Sequence, residues 1–279
     1  MKEKRITDIS IQKFHQYLVN EEKARATIEK YLRDIHAFRD FAEQDAITKE
    51  KMLAYKAMLE EKYSAASANS MLSSLNAFFV FSEWRELCVK HFRVQKKIYC
   101  KEERELSRQE YMRLTAAAEK KDQRLSLVIQ TLCSAGIRVS ELEYITVEAV
   151  KIGEVAVSCK GKTRTIFIVS ALREKLLRYA QRAGIREGKI FVTRNGKPMN
   201  RSNIWRAMKA LCTDAGICAE KVFPHNLRHL FARQFYAIEK DIAKLADILG
   251  HSSINTTRIY IITTGIEHKR KMESMRLIL

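Results

Sequence analysis

Glycine and proline are absent from the first 135 residues of this chain, which has 279 residues in all. All nine glycines and both prolines lie at Gly136 or beyond. Because these residues interrupt helices and supply most tight turns, their absence disfavours a turn-rich β structure in the first part of the chain. Apolar residues recur there at helical spacing, as in ARATIEKYLRDIHAFRDFAEQ (residues 24–44). The sequence therefore predicts a bundle of four helices over residues 1–90.

Paired cysteines and long apolar runs are also missing. The six cysteines form no CxxC pair, which argues against a disulfide scaffold and favours free thiols in a reducing cytosol. No run of about 18 apolar residues occurs, so no membrane span is expected. The charged start MKEKRITDIS lacks the apolar stretch of a secretory signal. We expect a cytoplasmic protein that does not bind a membrane.

Acidic residues are too few to balance the basic ones. The formal net charge is +18 and the pI is near 9.7. Residues 1–100 contain 18 Lys and Arg against 14 Asp and Glu, and the remainder contains 33 against 19. An excess of this size favours a polyanionic partner, and nucleic acid is the main candidate. Most of the phosphate contact is expected from the second part of the chain.

The second part of the chain begins after a charged, weakly periodic stretch. Residues 91–103 read as a linker, and Ser107 with Glu110 forms a capping-box pattern that predicts a new helix. GEVAVSCKGKTRTIFIVS (residues 153–170) alternates β-branched and apolar residues around a turn, which predicts a β-hairpin. Later segments read as helices, including one that Gly250 ends and a last one that contains Tyr260. The expected fold class is mainly α with a small β-hairpin or sheet.

Several residues bear chemistry that a core does not need. Arg138 follows a glycine at the end of an apolar helix and is expected to be partly buried, where it needs an anionic partner. An ion pair with Glu141 is the structural alternative, and Ser140 is a candidate cap for a following helix. Lys160 stands beside the hairpin turn, as either a lysine that enters a nucleic-acid groove or an ordinary basic turn residue. Each of these signals is weak alone.

The segment FPHNLRHLFARQF (residues 223–235) places a basic cluster at a helix start. Pro224 suits the first helical position, where backbone N–H groups attract anions. His225 and Arg228 are three residues apart and share a face. A zinc site is disfavoured, because the glutamate of H-E-x-x-H is replaced and no cysteine pair is near. Farther on, His251 follows the stop at Gly250, and Tyr260 alone is more often a packed aromatic than a nucleophile.

Four segments in order resemble the tyrosine recombinase (phage integrase) family, most closely its short Xer-like members, over nearly the whole chain. SAGIRVSEL (residues 134–142) is similar to the box of the first arginine, and PHNLRHLFA (residues 224–232) to the HxLRH box. LGHSSINTTRIY (residues 249–260) is similar to the box that ends in the nucleophile. TIEKYLRDIHAFRDFA (residues 27–42) is similar to the SAM-like core-binding domain. The resemblance implies an N-terminal SAM-like four-helix core-binding domain plus a mixed α/β tyrosine-recombinase catalytic domain.

The resemblance also implies the chemistry. Tyr260 attacks a DNA phosphate and forms a 3′-phosphotyrosine, with no metal, ATP or other cofactor. Lys160 protonates the leaving oxygen, although Lys162 is an alternative because this hairpin turn looks a residue shorter than usual. His229 and Glu141 support the site. The implied catalytic set is Arg138, Lys160, His225, Arg228, His251 and Tyr260.

The same resemblance implies how the protein is organised and what it binds. The expected domains are residues 1–90 for core binding, 91–103 for the linker and 104–279 for catalysis, with a C-terminal exchange helix at about 266–279. That helix is expected to dock on a neighbouring protomer, or else on its own domain. No arm-binding domain is expected before residue 1, which disfavours lambda-like integrases.

The expected partner is double-stranded DNA with specific recombination sites, bound by a homotetramer. A second recombinase or an accessory factor is left open. The expected outcome of recombination is DNA integration, excision, inversion or dimer resolution. The alternative functions are a non-catalytic, sequence-specific DNA-binding regulator with the same fold and a type IB topoisomerase.

Overall fold

The computed structural model describes residues 3–43, 45–94, 105–159, 162–193, 195–260 and 273–275. The chain divides into two compact units, residues 1–96 and residues 97–279, and each has its own buried core. Most of the expected linker at 91–103 lies outside the described residues, so the domain boundaries inferred from the sequence stay a prediction.

The described part of the first unit contains the four helices that its sequence predicts, followed by a short 3₁₀ helix. Thr7, Thr48 and Ser64 cap three of the helices, because each side-chain oxygen accepts a hydrogen bond from a backbone N–H of the first turn. The buried faces meet in a core rich in aromatic rings, among them Phe14 and Phe78. The elements are α1 (Asp8–Asn20), α2 (Arg25–Phe41), α3 (Lys49–Lys62), α4 (Ala65–Phe81) and the 3₁₀ helix Arg85–Leu87.

The second unit is a helical domain that contains one β-hairpin. The predicted capping box is confirmed at its first helix, where Ser107 and Glu110 exchange hydrogen bonds with each other's backbone. Its elements up to the hairpin are α5 (Arg108–Lys121), α6 (Gln123–Ser134), a 3₁₀ helix (Val139–Tyr144), α7 (Val147–Ile152), β1 (Glu154–Cys159) and β2 (Lys162–Phe167). Those after it are α8 (Ser170–Arg182), α9 (Arg201–Lys209), α10 (Cys212–Ala215), a 3₁₀ helix (Ala219–Lys221), α11 (Pro224–Glu239), α12 (Ile242–Leu249) and α13 (Ile254–Arg258).

The hairpin is antiparallel, with Glu154 opposite Phe167 and Cys159 opposite Lys162. Val155, Val157 and Ile166 point into the core, while the alternate residues face outward, which explains the alternating pattern in the sequence. The predicted fold class, mainly α with a small antiparallel sheet, is therefore confirmed.

Helix α6 is the centre of the second unit. Most of its residues are buried, and it packs against α5, α8, α9 and α11. The chain leaves α6 through Gly136, whose φ of +60° suits glycine. A Cβ at this position would lie 2.3 Å from the Phe231 ring of α11, so the glycine also allows α11 to approach. This close contact positions the two segments that carry Arg138 and Arg228.

Candidate active site

The start of α11 supplies two residues of the site. Pro224 occupies the first helical position, as the sequence predicts. Leu227 and Leu230 are buried in the core and anchor the helix. His225 and Arg228 lie instead along a cavity of about 650 Å³ that Arg138 also lines. The cluster seen in the sequence therefore faces a cleft rather than a core.

Arg228 is a buried cation that backbone carbonyl groups hold. Its side chain is among the most buried in the protein, with the residue 1% exposed. Its Nη1 donates to the carbonyl of Gly136, and its Nη2 donates to the carbonyl of Leu249 at 2.6 Å. Nε is buried and has no hydrogen-bond partner in the described part of the chain. Burial and the nearby Arg138 lower the pKa of Arg228 to about 10, so it stays charged at neutral pH. A buried guanidinium in this position favours an anion beside it.

Glu141 holds Arg138 in place through hydrogen bonds to its backbone and side chain. Glu141 is 3% exposed, and its carboxylate accepts hydrogen bonds from the Arg138 backbone N–H at 2.7 Å and from Arg138 Nη1 at 3.0 Å. Arg164 Nη2, from β2, donates to the same carboxylate at 2.8 Å. The ion pair expected as the structural alternative is therefore present, yet the Arg138 side chain keeps 36% of its surface exposed toward the cavity. The predicted cap at Ser140 is wrong, because Arg138 is the N-cap of a 3₁₀ helix and Glu141 bonds back to it.

His251 joins the cluster from the end of α12. Gly250 ends that helix with a φ of +64°, as the sequence predicts, and His251 follows directly. The Nε2 atom of His251 lies 3.0 Å from Arg228 Nη2. Its Nδ1 atom lies 2.9 Å from the hydroxyl of Thr257, a residue that is fully buried. Both ring nitrogens are therefore engaged, and the ring orientation is fixed.

Tyr260 lies among three histidines. Its hydroxyl is 3.2 Å from His225 Nε2, and its ring stacks on His229 with centroids 4.3 Å apart. The His251 ring lies 5.2 Å away, and the Arg228 guanidinium carbon lies 6.0 Å from the tyrosine ring centroid. The predicted helix is shorter than expected: α13 ends at Arg258, and Tyr260 lies in the turn after it. Tyr260 is 5% exposed, so its side chain is buried in this structure.

Burial keeps the histidines of the site neutral. Desolvation and the charge of Arg228 lower the pKa of His251 to about 4, and desolvation and His225 lower that of His229 to about 4. The pKa of His225 is also lowered, first by burial and then by Arg228 and Arg138. At neutral pH the site thus combines charged arginines with neutral imidazoles, which suits binding of an anion and acceptance of a proton.

Sequence reasoning missed five residues that belong to this region, among them Thr257, which contacts His251. Arg164 contacts Glu141, as described above. The other three, Arg201, Trp205 and Arg206, are on α9 and line the same cavity as Arg138 and Arg228. Arg201 and Trp205 are four residues apart on a strongly amphipathic helix, a spacing that places them on one face and could have suggested a shared surface.

The structure brings together five of the six predicted catalytic residues, and the sixth is not described. Lys160 lies outside the described residues, as does the side chain of Lys162. The predicted C-terminal exchange helix at about 266–279 also lies outside the described residues, apart from residues 273–275. In the described ranges no group of three or more His, Cys, Asp or Glu side chains could hold a metal ion. No helix among the described residues is long and apolar enough to span a membrane.

Comparison with known proteins yields consistent matches over both units. Residues 104–264 match the phage integrase family, and residues 11–86 match the phage integrase N-terminal SAM-like domain. The chain is 29% identical over its whole length to tyrosine recombinase XerA of Pyrococcus furiosus, of which it covers 98%.

Solved structures give the same result for the fold. A crystal structure of XerA recombinase is 26% identical, with a TM-score of 0.54 and coverage of 98% of this chain and 100% of that one. A lambda integrase tetramer bound to a Holliday junction is 20% identical, with a TM-score of 0.72 and coverage of 92% and 77%. At that identity the likeness to lambda integrase concerns the fold alone.

Proposed function

This chain belongs to the phage integrase family of tyrosine recombinases, and we propose that it recombines DNA at specific sites through a covalent link between Tyr260 and a DNA 3′ phosphate. It is a DNA-cleaving and rejoining enzyme in this proposal, and its substrate is double-stranded DNA with recombination sites. One observation carries the assignment of the nucleophile: the Tyr260 hydroxyl lies 3.2 Å from His225 Nε2, and the guanidinium carbon of the buried Arg228 lies 6.0 Å from the Tyr260 ring centroid. A tyrosine in a structural role needs neither neighbour.

The proposed reaction conserves the phosphodiester. The Tyr260 oxygen attacks phosphorus, the phenol loses its proton, and the bond from phosphorus to the DNA 5′ oxygen breaks. The released 5′ oxygen takes up a proton. Attack by the 5′ hydroxyl of another strand then reverses the step and frees Tyr260. Because each broken bond is replaced by one of similar energy, the cycle needs no ATP.

The two arginines meet the charge that develops on the phosphate oxygens. Arg138 is held by Glu141 with part of its guanidinium exposed, and Arg228 has a buried Nε that lacks a partner in the described part of the chain. A guanidinium offers paired donors and stays charged, so it suits an oxyanion better than a lysine would. Such prearranged charges can replace a metal ion in stabilising the transition state.

The histidines are assigned to accept a proton and to form additional hydrogen bonds. His225 is neutral, because burial lowers its pKa, and its Nε2 is within hydrogen-bond distance of the Tyr260 hydroxyl. It is therefore placed to accept the phenolic proton as the bond to phosphorus forms. His251 is adjacent to Arg228 and is assigned to donate from Nε2 to a phosphate oxygen. His229 stacks on the Tyr260 ring and orients it.

The leaving oxygen is assigned a lysine proton donor from the hairpin. Lys160 is the first candidate and Lys162 the alternative, on family resemblance and on the position of both beside the turn between β1 and β2. The assembly is assigned as a homotetramer on two DNA sites, since the related lambda integrase forms a tetramer on a Holliday junction.

Covalent capture tests this function. Nicked duplexes that carry candidate sites from the gene's own neighbourhood are mixed with the protein in EDTA and without nucleotide. Wild type should form an adduct that survives denaturation, and Tyr260→Phe should bind but form none. Tyr236→Phe, a partly buried tyrosine of α11, is the matched control and should behave as wild type. Specific binding without any adduct would favour the non-catalytic regulator, and an adduct that EDTA abolishes would contradict metal independence.

A further inference from the structure

His251 is held at both ring nitrogens by partners with different hydrogen-bonding abilities. Arg228 Nη2 lies 3.0 Å from Nε2, and the Thr257 hydroxyl lies 2.9 Å from Nδ1. A guanidinium can only donate, whereas a hydroxyl can donate or accept. Arg228 therefore requires an unprotonated Nε2, and a neutral ring must then carry its proton on Nδ1. In this arrangement Nδ1–H donates to the Thr257 oxygen.

The proposed function requires the opposite tautomer. If His251 donates to a phosphate oxygen from Nε2, that atom must carry the proton, and Nδ1 must accept. The ring stays neutral, because burial and three neighbouring arginines lower its pKa to about 4. When the oxygens of a phosphate accept the hydrogen bonds of Arg228, His251 Nε2 no longer accepts a hydrogen bond from Arg228. The partner at Nδ1 must then change from acceptor to donor.

We propose that Thr257 is a positioning residue whose hydroxyl completes the hydrogen bonding of either tautomer of His251, accepting from Nδ1–H while Arg228 donates to Nε2 and donating to Nδ1 when an anion takes over the Arg228 donors. This inference rests on the proposed function for its second state. The exchange is balanced: Nδ1 gives a proton to water, Nε2 takes one from water, and the hydroxyl hydrogen of Thr257 rotates toward Nδ1. The net charge of the ring does not change.

The position of Thr257 supports this role. The residue is fully buried on α13, and its backbone carbonyl accepts a hydrogen bond from the Tyr260 N–H at 2.9 Å. Its hydroxyl thus contacts the histidine while its backbone fixes the turn of the nucleophile. Thr256, the preceding residue of α13, is exposed. The chain therefore contains a matched threonine whose hydroxyl does not contact His251.

Nitrogen-15 NMR of the histidine-labelled full chain measures the tautomer directly. The His251 signals are assigned by their loss in His251→Gln. At pH 7 the protein alone should show a protonated Nδ1 and an unprotonated Nε2. In Thr257→Val the Nδ1 proton should lose its downfield shift and exchange faster with water, because it would have no acceptor while Arg228 still holds Nε2 unprotonated. Thr257→Ser and Thr256→Val should keep the wild-type pattern. An Nε2–H ring in wild type, or no change in Thr257→Val, would overturn the proposal.

Sulfate, a tetrahedral dianion, probes the second state. The titration is continued until the His251 shifts level off, with sodium chloride at equal ionic strength as the control. The ring should then carry its proton on Nε2. A ring that keeps the Nδ1 proton, or that becomes doubly protonated, would contradict the assigned exchange.

Cleavage of the nicked duplex gives an independent readout. Thr257→Val should slow single-turnover adduct formation about tenfold at unchanged DNA affinity, which is the usual effect of losing a buried partner of a catalytic group. Thr257→Ser and Thr256→Val should remain within about twofold of wild type. Equal rates for Thr257→Val and Thr256→Val would refute the role. If wild type forms no adduct at all, the proposed function fails, while the tautomer measured in the protein alone still decides the resting role of Thr257.

Discussion

Replacement of Glu141 by glutamine removes the charge that joins two arginines of the site. The carboxylate accepts three hydrogen bonds, from the backbone and side chain of Arg138 and from Arg164. Glutamine has the same shape but only one acceptor oxygen, and its amide group would face a donor N–H. At least one charge-assisted bond is therefore lost, and the two guanidinium groups lose the anion between them. The effect should fall on both stability and catalysis.

The size of the effect follows from burial. Breaking a buried ion pair typically costs about 3–5 kcal/mol, and the partly exposed Arg138 argues for the lower end, about 3 kcal/mol. For a domain of this size, each kcal/mol lowers the melting temperature by roughly 2–4 °C, so Glu141→Gln should lower it by roughly 9 °C. Adduct formation should slow by about 10–100-fold, because Arg138 loses the group that orients it.

Glu143→Gln is the matched control, two residues away. Glu143 pairs with Lys189 at 2.9 Å, and both side chains are more than 40% exposed. An exposed pair contributes about 1 kcal/mol or less, so this variant should melt within about 3 °C of wild type and cleave at the wild-type rate. Thermal melting by circular dichroism and single-turnover adduct formation measure both effects. Similar behaviour of the two variants would refute the role assigned to Glu141.

Three further predictions concern the chemistry. Arg228→Lys should lower the cleavage rate by at least about 100-fold with little loss of DNA affinity in a gel-shift assay, because an ammonium cannot replace the paired donors. Lys160→Ala should slow cleavage more than Lys162→Ala. A substrate with sulfur at the bridging 5′ position has a leaving group that needs no proton, so it should restore the cleavage rate of Lys160→Ala. No restoration would exclude Lys160 as the acid. Because burial lowers the pKa of His225, the neutral form of this residue persists as the pH falls through 6.5. The profile of kcat/KM against pH should therefore fall only below pH 6.5. A loss of activity centred at pH 6.5 or above would contradict this.

Local signals in the sequence account for the elements that were predicted correctly. The capping pair at Ser107, the proline at the start of α11 and the glycine after α12 act within a few residues, and each appears in the structure as expected. The alternating pattern of the hairpin is equally local. Each of these features depends only on a capping side chain or a fixed φ, so a few neighbouring residues in the sequence can specify it.

Other parts of the site depend on contacts between distant residues. Arg164 bonds to Glu141 across 23 positions of sequence, and no periodicity indicates this pairing. Helix α9 contributes to the cavity because it packs beside α6, which is distant from it in sequence. Tyr260 lies past the end of α13 because the chain turns where the Thr257 carbonyl accepts its N–H. Tertiary packing determines these features, and local pattern does not reveal it.

The most direct test of the nucleophile is the chemical identity of the protein–DNA link. The captured adduct is digested with nuclease and trypsin, and its peptide is sequenced by mass spectrometry, while the released DNA end is tested for labelling by polynucleotide kinase. We expect a nucleotide on Tyr260, joined through the DNA 3′ phosphate, and a free 5′ hydroxyl on the released strand. A link to any other residue, or a 5′ phosphate linkage, would contradict the assignment of Tyr260 as a nucleophile that forms a 3′-phosphotyrosine.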